Sequence, residues 1–249
     1  IYCRPDQIES EIGKLIQLIK DVYGTFNLPL NFKLATRPEK AMGAPKLWNE
    51  AESALEAVLK KSGIRYEVKP KDGAFYGPKI DVHCEDVLKR DWQVATIQLD
   101  FQMAGRFGLS YIDEAGKKQT PVMIHRAILG TFERFIGILI EHYAGAFPLW
   151  LSPVQIAVLS VTDTATKYAA DITRELRTRG FRASLDERND TIGKKIREAE
   201  MQKIPYLLII GPREQQSKTV AVRERGRGDR GTMKVEAFLN VIKNTAYPK

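Results

Sequence analysis

The chain has 249 residues, a formal net charge of +8 at neutral pH and a pI near 9.4. This length allows two domains with separate hydrophobic cores, and the positive charge favours a polyanionic partner such as RNA. Two cysteines, Cys3 and Cys84, are too few for a disulfide-rich secreted protein, and no apolar run approaches the roughly 20 residues that cross a bilayer. The sequence carries no secretory leader and begins at Ile1 rather than methionine, so we expect a part of a longer cytoplasmic protein.

The first half of the chain predicts an α+β domain. Apolar residues at helical spacing predict helices over residues 5–23 and 47–61, the second closed by Gly63. Strands are predicted over residues 31–34, 65–68, 80–85, 92–101 and 109–113. Because the later strands follow one another through short connections, the sheet is expected to be antiparallel.

The segment PVMIHRAILGTFERFIGILIEHY, residues 121–143, predicts a strand that leads into a long, mostly buried helix from about residue 129. Arg134 lies within this apolar run and needs a partner, since an unpaired buried charge is very costly. The residues alone leave two partners open. One is a carboxylate such as Glu133, and the other is a phosphate, which a guanidinium grips with two parallel hydrogen bonds.

The sequence changes character at PLWLSP, residues 148–153, and we predict a first domain over residues 1–147 and a second over 148–249. Strands at 154–161, 181–185, 204–211 and 219–225 alternate with helices at 164–178, 189–203 and 235–245. This alternation predicts a small doubly wound α/β domain. Asn189 or Asp190 is expected to cap the middle helix, and residues 223–231 are expected to form a basic turn.

Several polar residues of the first domain could bind a ligand. A single histidine such as His125 is more often structural than a metal ligand, because zinc needs two or three further partners. Gln93 and Gln98 are five residues apart on one strand, so they point to opposite faces unless a bulge intervenes. Tyr76 and Lys79 flank a tight turn, where the lysine could contact an anion or only solvent.

Cations cluster in the second domain, around the helix at 189–203 and two later loops. Such a helix is often only a solvated face. Together with Asn189 and Glu214 at loop ends, these cations could instead read RNA bases and phosphates.

Four stretches resemble one family. The segment from residue 121 to the PLWLSPVQ linker resembles the third signature motif of class II aminoacyl-tRNA synthetases and the start of an anticodon-binding domain. DGAFYGPKIDV, WQVATIQLDF and PVMIHRA resemble threonyl-tRNA synthetases in particular, and DERNDTIGKKIREAEMQKIPYLLIIG resembles their anticodon-binding domain. The resemblance covers essentially the whole chain, with the motifs in the family order.

The resemblance implies ATP-dependent attachment of threonine to its tRNA through a threonyl-adenylate. Arg134 would clamp the γ-phosphate of ATP and Gln93 would contact the nucleotide, while Lys79 would lie close to the reacting groups. Tyr76 and Gln98 would line the threonine pocket. The residues expected to face the anticodon are Asn189, Arg197, Lys203, Glu214 and Arg223.

The same resemblance implies partners and cofactors. His125 would be one of three ligands of a zinc ion, one per subunit, that binds the amino and hydroxyl groups of threonine. ATP with Mg²⁺ would be a substrate, tRNA(Thr) the partner, and the whole protein a cytoplasmic homodimer without membrane attachment.

The chain departs from the family in lacking its first two signature motifs, the other two zinc ligands and the N-terminal editing region. We therefore expect the C-terminal part of a synthetase, whose active site is incomplete without the upstream part. The alternative is a non-catalytic module that keeps the synthetase shape and binds tRNA or another RNA. Prolyl, histidyl and glycyl enzymes share the architecture.

Overall fold

The structure is a computed structural model that describes residues 1–245. The chain folds into two compact units, Ile1–Glu141 and a second that starts at His142. This division falls six residues before the predicted domain boundary between residues 147 and 148. Ala146 and Phe147, just after the division, are hydrogen-bonded to the second unit. Arg225 Nη2 donates to their carbonyl oxygens, at 3.1 Å for Ala146 and 2.6 Å for Phe147.

The first unit follows the predicted order of helices and strands. Its helices are α1 (Ile8–Thr25, preceded by a 3₁₀ turn at Pro5–Gln7), α2 (Pro45–Lys61), α3 (Met103–Arg106) and α4 (Phe132–His142). Its strands are β1 (Tyr2–Cys3), β2 (Asn31–Ala35), β3 (Tyr66–Lys69), β4 (Lys79–Glu85), β5 (Asp91–Asp100), β6 (Tyr111–Ile112), β7 (Lys118–Gln119) and β8 (Val122–Ala127).

Six of these strands form one sheet in the order β1-β8-β5-β4-β2-β3. All neighbours are antiparallel except β2 and β3, so the predicted α+β class is confirmed. Helices α1 and α2 contact each other, and their buried residues recur every three or four positions. One face of β4 supplies the buried Ile80, Val82 and Cys84 to this core.

A short strand forms within the predicted range 109–113, but it does not join the main sheet as expected. Tyr111–Ile112 pairs only with Lys118–Gln119 in a separate two-stranded sheet, around the turn at Gly116, where φ is +75°. Strand β8 therefore pairs directly with β5.

Helix α4 begins at Phe132 rather than near residue 129, because Gly130 has φ +61° and breaks the helical path. Thr131 Oγ1 then accepts a hydrogen bond from the backbone nitrogen of Arg134 at 3.3 Å, which is an N-cap contact. The expectation of a mostly buried helix is also wrong. Only one stripe is buried, and the opposite stripe leaves Phe132, Ile136 and Ile140 exposed.

The second unit has a five-stranded sheet in the order β10-β9-β11-β12-β13. Its strands are β9 (Ile156–Ser160), β10 (Ala183–Asp186), β11 (Tyr206–Ile210), β12 (Val220–Glu224) and β13 (Gly228–Met233). Its helices are α5 (Asp163–Thr178), α6 (Ile192–Met201), α7 (Pro212–Ser217) and α8 (Val235–Ile242, followed by a 3₁₀ turn at Lys243–Thr245).

Strands β10, β9 and β11 are parallel, and helices cover both faces of the sheet. Along β9, Ile156 and Val158 pack with α5 and α8, whereas Ala157 and Leu159 pack with α6. The doubly wound α/β fold is confirmed.

In this unit one local prediction is wrong, one is confirmed over fewer residues, and one helix was missed. The cap of α6 is Thr191, whose Oγ1 accepts from the backbone nitrogen of Lys194 at 3.4 Å, not Asn189 or Asp190. The basic turn predicted over 223–231 forms at residues 225–227, between β12 and β13. Helix α7 was not predicted. In residues 1–245, no helix combines the length and apolarity needed to cross a membrane.

Candidate active site

A β-bulge in strand β5 decides which side chains share a face. Val82 pairs with Ala95 and His83 with Gln93, so Val94 has no partner across the strands. The extra residue brings Gln93 onto the same face as Gln98. The alternative in which the two glutamines point to opposite faces is therefore wrong.

The register then defines one polar sheet face. Gln98 lies between Lys79 on β4 and His125 on β8, and Thr96 pairs with Asp81. Paired residues point to the same side of a sheet. We use the name polar sheet face for Lys79, Asp81, Gln93, Thr96, Gln98 and His125; His83, paired with Gln93, lies on the same side of the sheet.

Asp81 is the centre of the hydrogen bonds on this face, and its side chain is only 4% exposed. Its Oδ1 accepts from Gln93 Nε2 at 2.7 Å and Thr96 Oγ1 at 3.0 Å. Its Oδ2 forms an ion pair with Lys79 Nζ at 2.6 Å. The carboxylate therefore holds an amide and an ammonium group in fixed positions beside the open face.

Tyr76, Gln98 and His125 form a second group on the same face. The Tyr76 hydroxyl donates to Gln98 Oε1, and its ring centroid lies 5.3 Å from that of His125. Burial, and then the carboxylate of Asp100, raise the pKa of Tyr76, so the phenol keeps its proton. The turn that presents Tyr76 approaches β5 closely, since a Cβ on Gly77 would lie 1.8 Å from the carbonyl oxygen of Leu99.

His125 is held by a carboxylate. Its Nε2 lies 2.9 Å from Oδ2 of Asp100, a residue with no exposed surface. The other oxygen of Asp100 accepts from the backbone nitrogens of Gln102 and Met103 at the start of α3. A histidine whose one nitrogen is bound to a carboxylate is the usual form of a metal-ligating histidine.

The residues of this chain do not complete a metal site. Within residues 1–245, no three His, Cys, Asp or Glu side chains are grouped to hold an ion. His83 belongs to a different group, 3.0 Å from Asp91 Oδ2 and 3.3 Å from Lys33 Nζ, and burial lowers its pKa. The contact between Asp100 and Nε2 fits His125 as one zinc ligand. It leaves Nδ1 as the ring nitrogen that is not bound to Asp100.

Arg134 lies in the first turn of α4 and is exposed. Its Nη1 donates to the backbone oxygen of Gln93 at 3.0 Å, and its Cζ lies 5.3 Å from the centre of the Trp92 ring. Neither Glu133 nor any other carboxylate in residues 1–245 forms an ion pair with Arg134. Of the two partners left open by the sequence, the carboxylate is therefore wrong. The remaining guanidinium hydrogens are open to an anion.

The five predicted RNA-facing residues do not form one cluster. Asn189 follows the carboxyl end of β10, and Glu214 follows that of β11, where its Oε2 accepts from the Gly211 nitrogen at 2.9 Å. Arg223 pairs with Leu207 near the other end of the sheet, roughly 10 Å away along the strands. Lys203 follows α6 at that end, with its Nζ bonded to the Ala144 carbonyl oxygen.

Three of these side chains keep free hydrogen-bonding capacity. Asn189 and Arg197 are exposed and have no side-chain hydrogen bond or ion pair within the described chain. Arg223 donates from Nη2 to Glu200 at 3.2 Å, while its Nε is buried without a partner among residues 1–245. The exposed residues are available to a polyanion.

Sequence reasoning missed Asp81, Asp100 and Trp92. The one available signal for Asp81 is the alternation in residues 80–85, in which Ile80, Val82 and Cys84 fall on one side of the strand and Asp81 on the other. Asp100 stands two residues before Gln102, the N-cap of α3, and an aspartate so placed can accept from the first backbone nitrogens of the helix. No pattern in the sequence indicated the contact between Trp92 and Arg134.

Two family models match the chain. The model described as tRNA synthetase class II core domain (G, H, P, S and T) matches residues 1–143, and the one described as anticodon binding domain matches residues 155–245.

Individual proteins match over nearly the whole chain. A protein of Symbiobacterium thermophilum named threonine--tRNA ligase is 53% identical over 100% of this chain. Its counterpart in Acetivibrio thermocellus is 52% identical over 97%. The chain spans 38% of the length of each of these two relatives.

Among solved structures, one described as the RNA binding domain of threonyl-tRNA synthetase from Cryptosporidium parvum Iowa II superposes with a TM-score of 0.93. It is 40% identical, and the match covers 100% of this chain and 63% of that one.

Proposed function

The chain belongs to the class II tRNA synthetases, and from this membership we propose that the complete protein attaches threonine to its tRNA in a reaction driven by ATP. The relatives named for threonine support the amino acid, and the second family model supports a tRNA partner. The upstream part of the catalytic domain would be supplied by the rest of the protein, since the chain spans 38% of those relatives.

The observation that carries this proposal is the bulge at Val94, which gathers Gln93, Gln98 and His125 on one face of the sheet. A binding site for an amino acid and a nucleotide needs convergent polar groups on a rigid support. Strands β4, β5 and β8 provide that support, and the hydrogen bonds at Asp81 and Asp100 fix the groups before any ligand arrives.

For threonine, the proposed pocket is made by Tyr76, Gln98 and His125. The Tyr76 hydroxyl and Gln98 amide are already bonded to each other, so they present a fixed pattern of donors and acceptors. Zinc would take His125 as one of three protein ligands and would supply a coordination site for the amino and hydroxyl groups of threonine. Asp100 orients the imidazole for that role.

For ATP, the proposed residues are Arg134, Gln93 and Lys79. Arg134 would neutralise charge on the γ-phosphate, Gln93 would contact the nucleotide, and Lys79 would lie close to the reacting groups. Mg²⁺ would accompany the nucleotide, as is general for this class. Since Asp81 already pairs with Lys79, the ammonium is held in place rather than free.

The reaction would then proceed in two steps. A carboxylate oxygen of threonine bonds to the α-phosphorus of ATP, and the bond to the bridging oxygen breaks, releasing pyrophosphate with the electron pair. A ribose hydroxyl of tRNA next attacks the carbonyl carbon, loses its proton, and displaces AMP. The residues of this chain contribute by positioning the reactants and by neutralising phosphate charge.

The second unit would bind the tRNA anticodon through Asn189, Arg197, Lys203, Glu214 and Arg223. The free hydrogen-bonding capacity of the exposed Asn189 and Arg197 supports this role. Single-stranded bases are read by such polar side chains, and phosphates by arginine and lysine. A homodimer and a cytoplasmic location remain predictions.

Charging of tRNA with labelled threonine by the complete protein tests the proposal. Arg134→Ala should abolish charging and leave tRNA binding nearly unchanged. Arg65→Ala, an exposed arginine before the edge strand β3, is the matched control and should charge normally. A complete protein that binds tRNA and charges nothing would instead be a non-catalytic RNA-binding module.

A further inference from the structure

A chain of contacts joins Arg134 to a buried carboxylate through Trp92. The Arg134 guanidinium lies 5.3 Å from the centre of the indole ring, over its face. The indole Nε1 donates to Oδ2 of Asp86 at 2.8 Å. Trp92 is half-buried, and its partner across the strands is Cys84, on the core side of the sheet.

Asp86 is saturated with hydrogen bonds, and its side chain is 1% exposed. Oδ1 accepts from the backbone nitrogens of Leu88 and Arg90, both at 2.9 Å. Oδ2 accepts from Arg90 Nε at 2.5 Å in addition to the indole. Because every acceptor direction is used, the indole ring has one well-defined orientation.

The same network reaches the other end of α4. Arg90 Nη2 donates to both carboxylate oxygens of Glu141, at 3.0 and 2.9 Å. Arg134 and Glu141 are seven residues apart, which is about 10 Å along the helix. The β4–β5 hairpin therefore holds α4 at both ends and fixes where the helix presents Arg134.

Arg134 itself has few other restraints. Apart from the indole, its guanidinium contacts only the Gln93 backbone oxygen among residues 1–245. A long, exposed arginine loses rotamer freedom when it grips a ligand, so a surface that holds it beforehand raises affinity. The face of an aromatic ring attracts a guanidinium without using its N–H groups, which stay free for an anion.

We propose that Trp92, locked by Asp86, is a positioning residue that holds Arg134 ready for the triphosphate of ATP. This inference rests on the proposed function in one respect, the nucleotide as ligand of Arg134. The test therefore measures ATP binding separately from catalysis.

The experiment uses the complete protein with four changes: Trp92→Leu, Trp92→Phe, Arg134→Ala and the double variant Trp92→Leu/Arg134→Ala. ATP affinity of all four variants is measured by equilibrium dialysis without amino acid. KM values for ATP and threonine are measured by pyrophosphate exchange for the two Trp92 single variants, which keep Arg134. Trp92→Leu should weaken ATP binding about fivefold, with the KM for threonine unchanged. Trp92→Phe keeps a ring face but loses the hydrogen bond to Asp86, so its ATP affinity should lie between that of Trp92→Leu and that of the unaltered protein.

The double variant separates positioning from structural damage. If Trp92 acts through Arg134, Trp92→Leu has no further effect on ATP affinity once Arg134 is alanine. The inference would be overturned if Trp92→Leu weakened ATP binding equally with Arg134 present and with Arg134 replaced by alanine. It would also be overturned if Trp92→Leu raised the KM for threonine as much as the KM for ATP. A protein that shows this ATP pattern but no threonine-dependent exchange would sink the proposed function and leave the positioning role standing.

Discussion

Nε2 of His125 lies 2.9 Å from Oδ2 of Asp100, on the adjacent strands β8 and β5. The carboxylate is fully buried, and its other oxygen caps the start of α3. The imidazole is therefore oriented by the sheet itself, with its second nitrogen directed away from Asp100.

Asp100→Asn should lower the zinc affinity of the complete protein by about 10- to 100-fold, since the imidazole loses the carboxylate that orients it. The asparagine oxygen can still accept the two backbone hydrogen bonds at α3, so the fold should persist. Zinc per subunit after dialysis against a graded chelator measures the effect. His83→Gln is the control and should retain zinc, because His83 is paired with Asp91 instead. Unchanged zinc in Asp100→Asn would contradict the orienting role of Asp100.

Gly77→Ala should destabilise the first unit by about 2–3 kcal/mol, because the new methyl group would overlap the Leu99 carbonyl oxygen at 1.8 Å. The turn carrying Tyr76 and Lys79 must then move away from β5. Urea unfolding gives the change in stability. Gly13→Ala, within α1 and with nothing within 4 Å of the new Cβ, should instead be neutral or stabilising by up to about 1 kcal/mol.

Asp86 gives the stability a specific dependence on pH. Burial alone would raise its pKa, but hydrogen bonds from Trp92, Arg90 and Leu88 outweigh it and lower the pKa to about 2. An unfolded aspartate titrates near 3.9. The contribution of the carboxylate is therefore fully present above about pH 4 and is lost as pH falls toward 2.

Asp86→Asn removes the carboxylate that titrates, so this variant tests the pH dependence. The difference in urea midpoint between the unaltered protein and this variant should be constant from pH 7 to 5 and should narrow at pH 3. A difference that widens on acidification would contradict the hydrogen-bonded carboxylate.

Lys195 is a buried ammonium group that holds two strand ends together. Its Nζ donates to the Ser160 carbonyl oxygen at 2.8 Å and to the Asp186 carbonyl oxygen at 3.3 Å, and the residue is only 2% exposed. Lys195→Met keeps the bulk but removes this donor from both oxygens, although the Asp186 oxygen still accepts from Ser160 Oγ at 3.3 Å, and the loss should cost about 2 kcal/mol. Lys194→Met is the neighbouring control. It removes only the solvent-accessible ion pairs with Asp190 and Glu198 and should change stability by less than about 1 kcal/mol.

Much of the fold could be predicted because its patterns are local. The amphipathic spacing of α1 and α2 and the apolar runs of β9 and β11 reflect burial that each segment shows in its own residues. Helix α7 and strand β13 escaped prediction, since short polar segments acquire their structure from neighbouring strands rather than from their own pattern.

The site was less predictable because it depends on register. Whether Gln93 and Gln98 share a face is decided by one unpaired residue, Val94, and nothing in the sequence marks that bulge. The contact of Trp92 with Arg134 joins residues 42 positions apart in the chain and likewise depends on how α4 meets β5. Family resemblance supplied the roles proposed for these residues, and the register explains how they can act together.

Amino-acid-dependent ATP–pyrophosphate exchange by the complete protein is the most direct measurement, with threonine, serine and valine compared. We predict exchange with threonine well above serine, since one methyl group is worth about 10- to 200-fold. Valine should be lowest, because a site built around a hydroxyl rejects an analogue without it by about 10⁴-fold. Exchange with none of the three, in a protein that still binds tRNA, would contradict the synthetase function and favour a non-catalytic RNA-binding module.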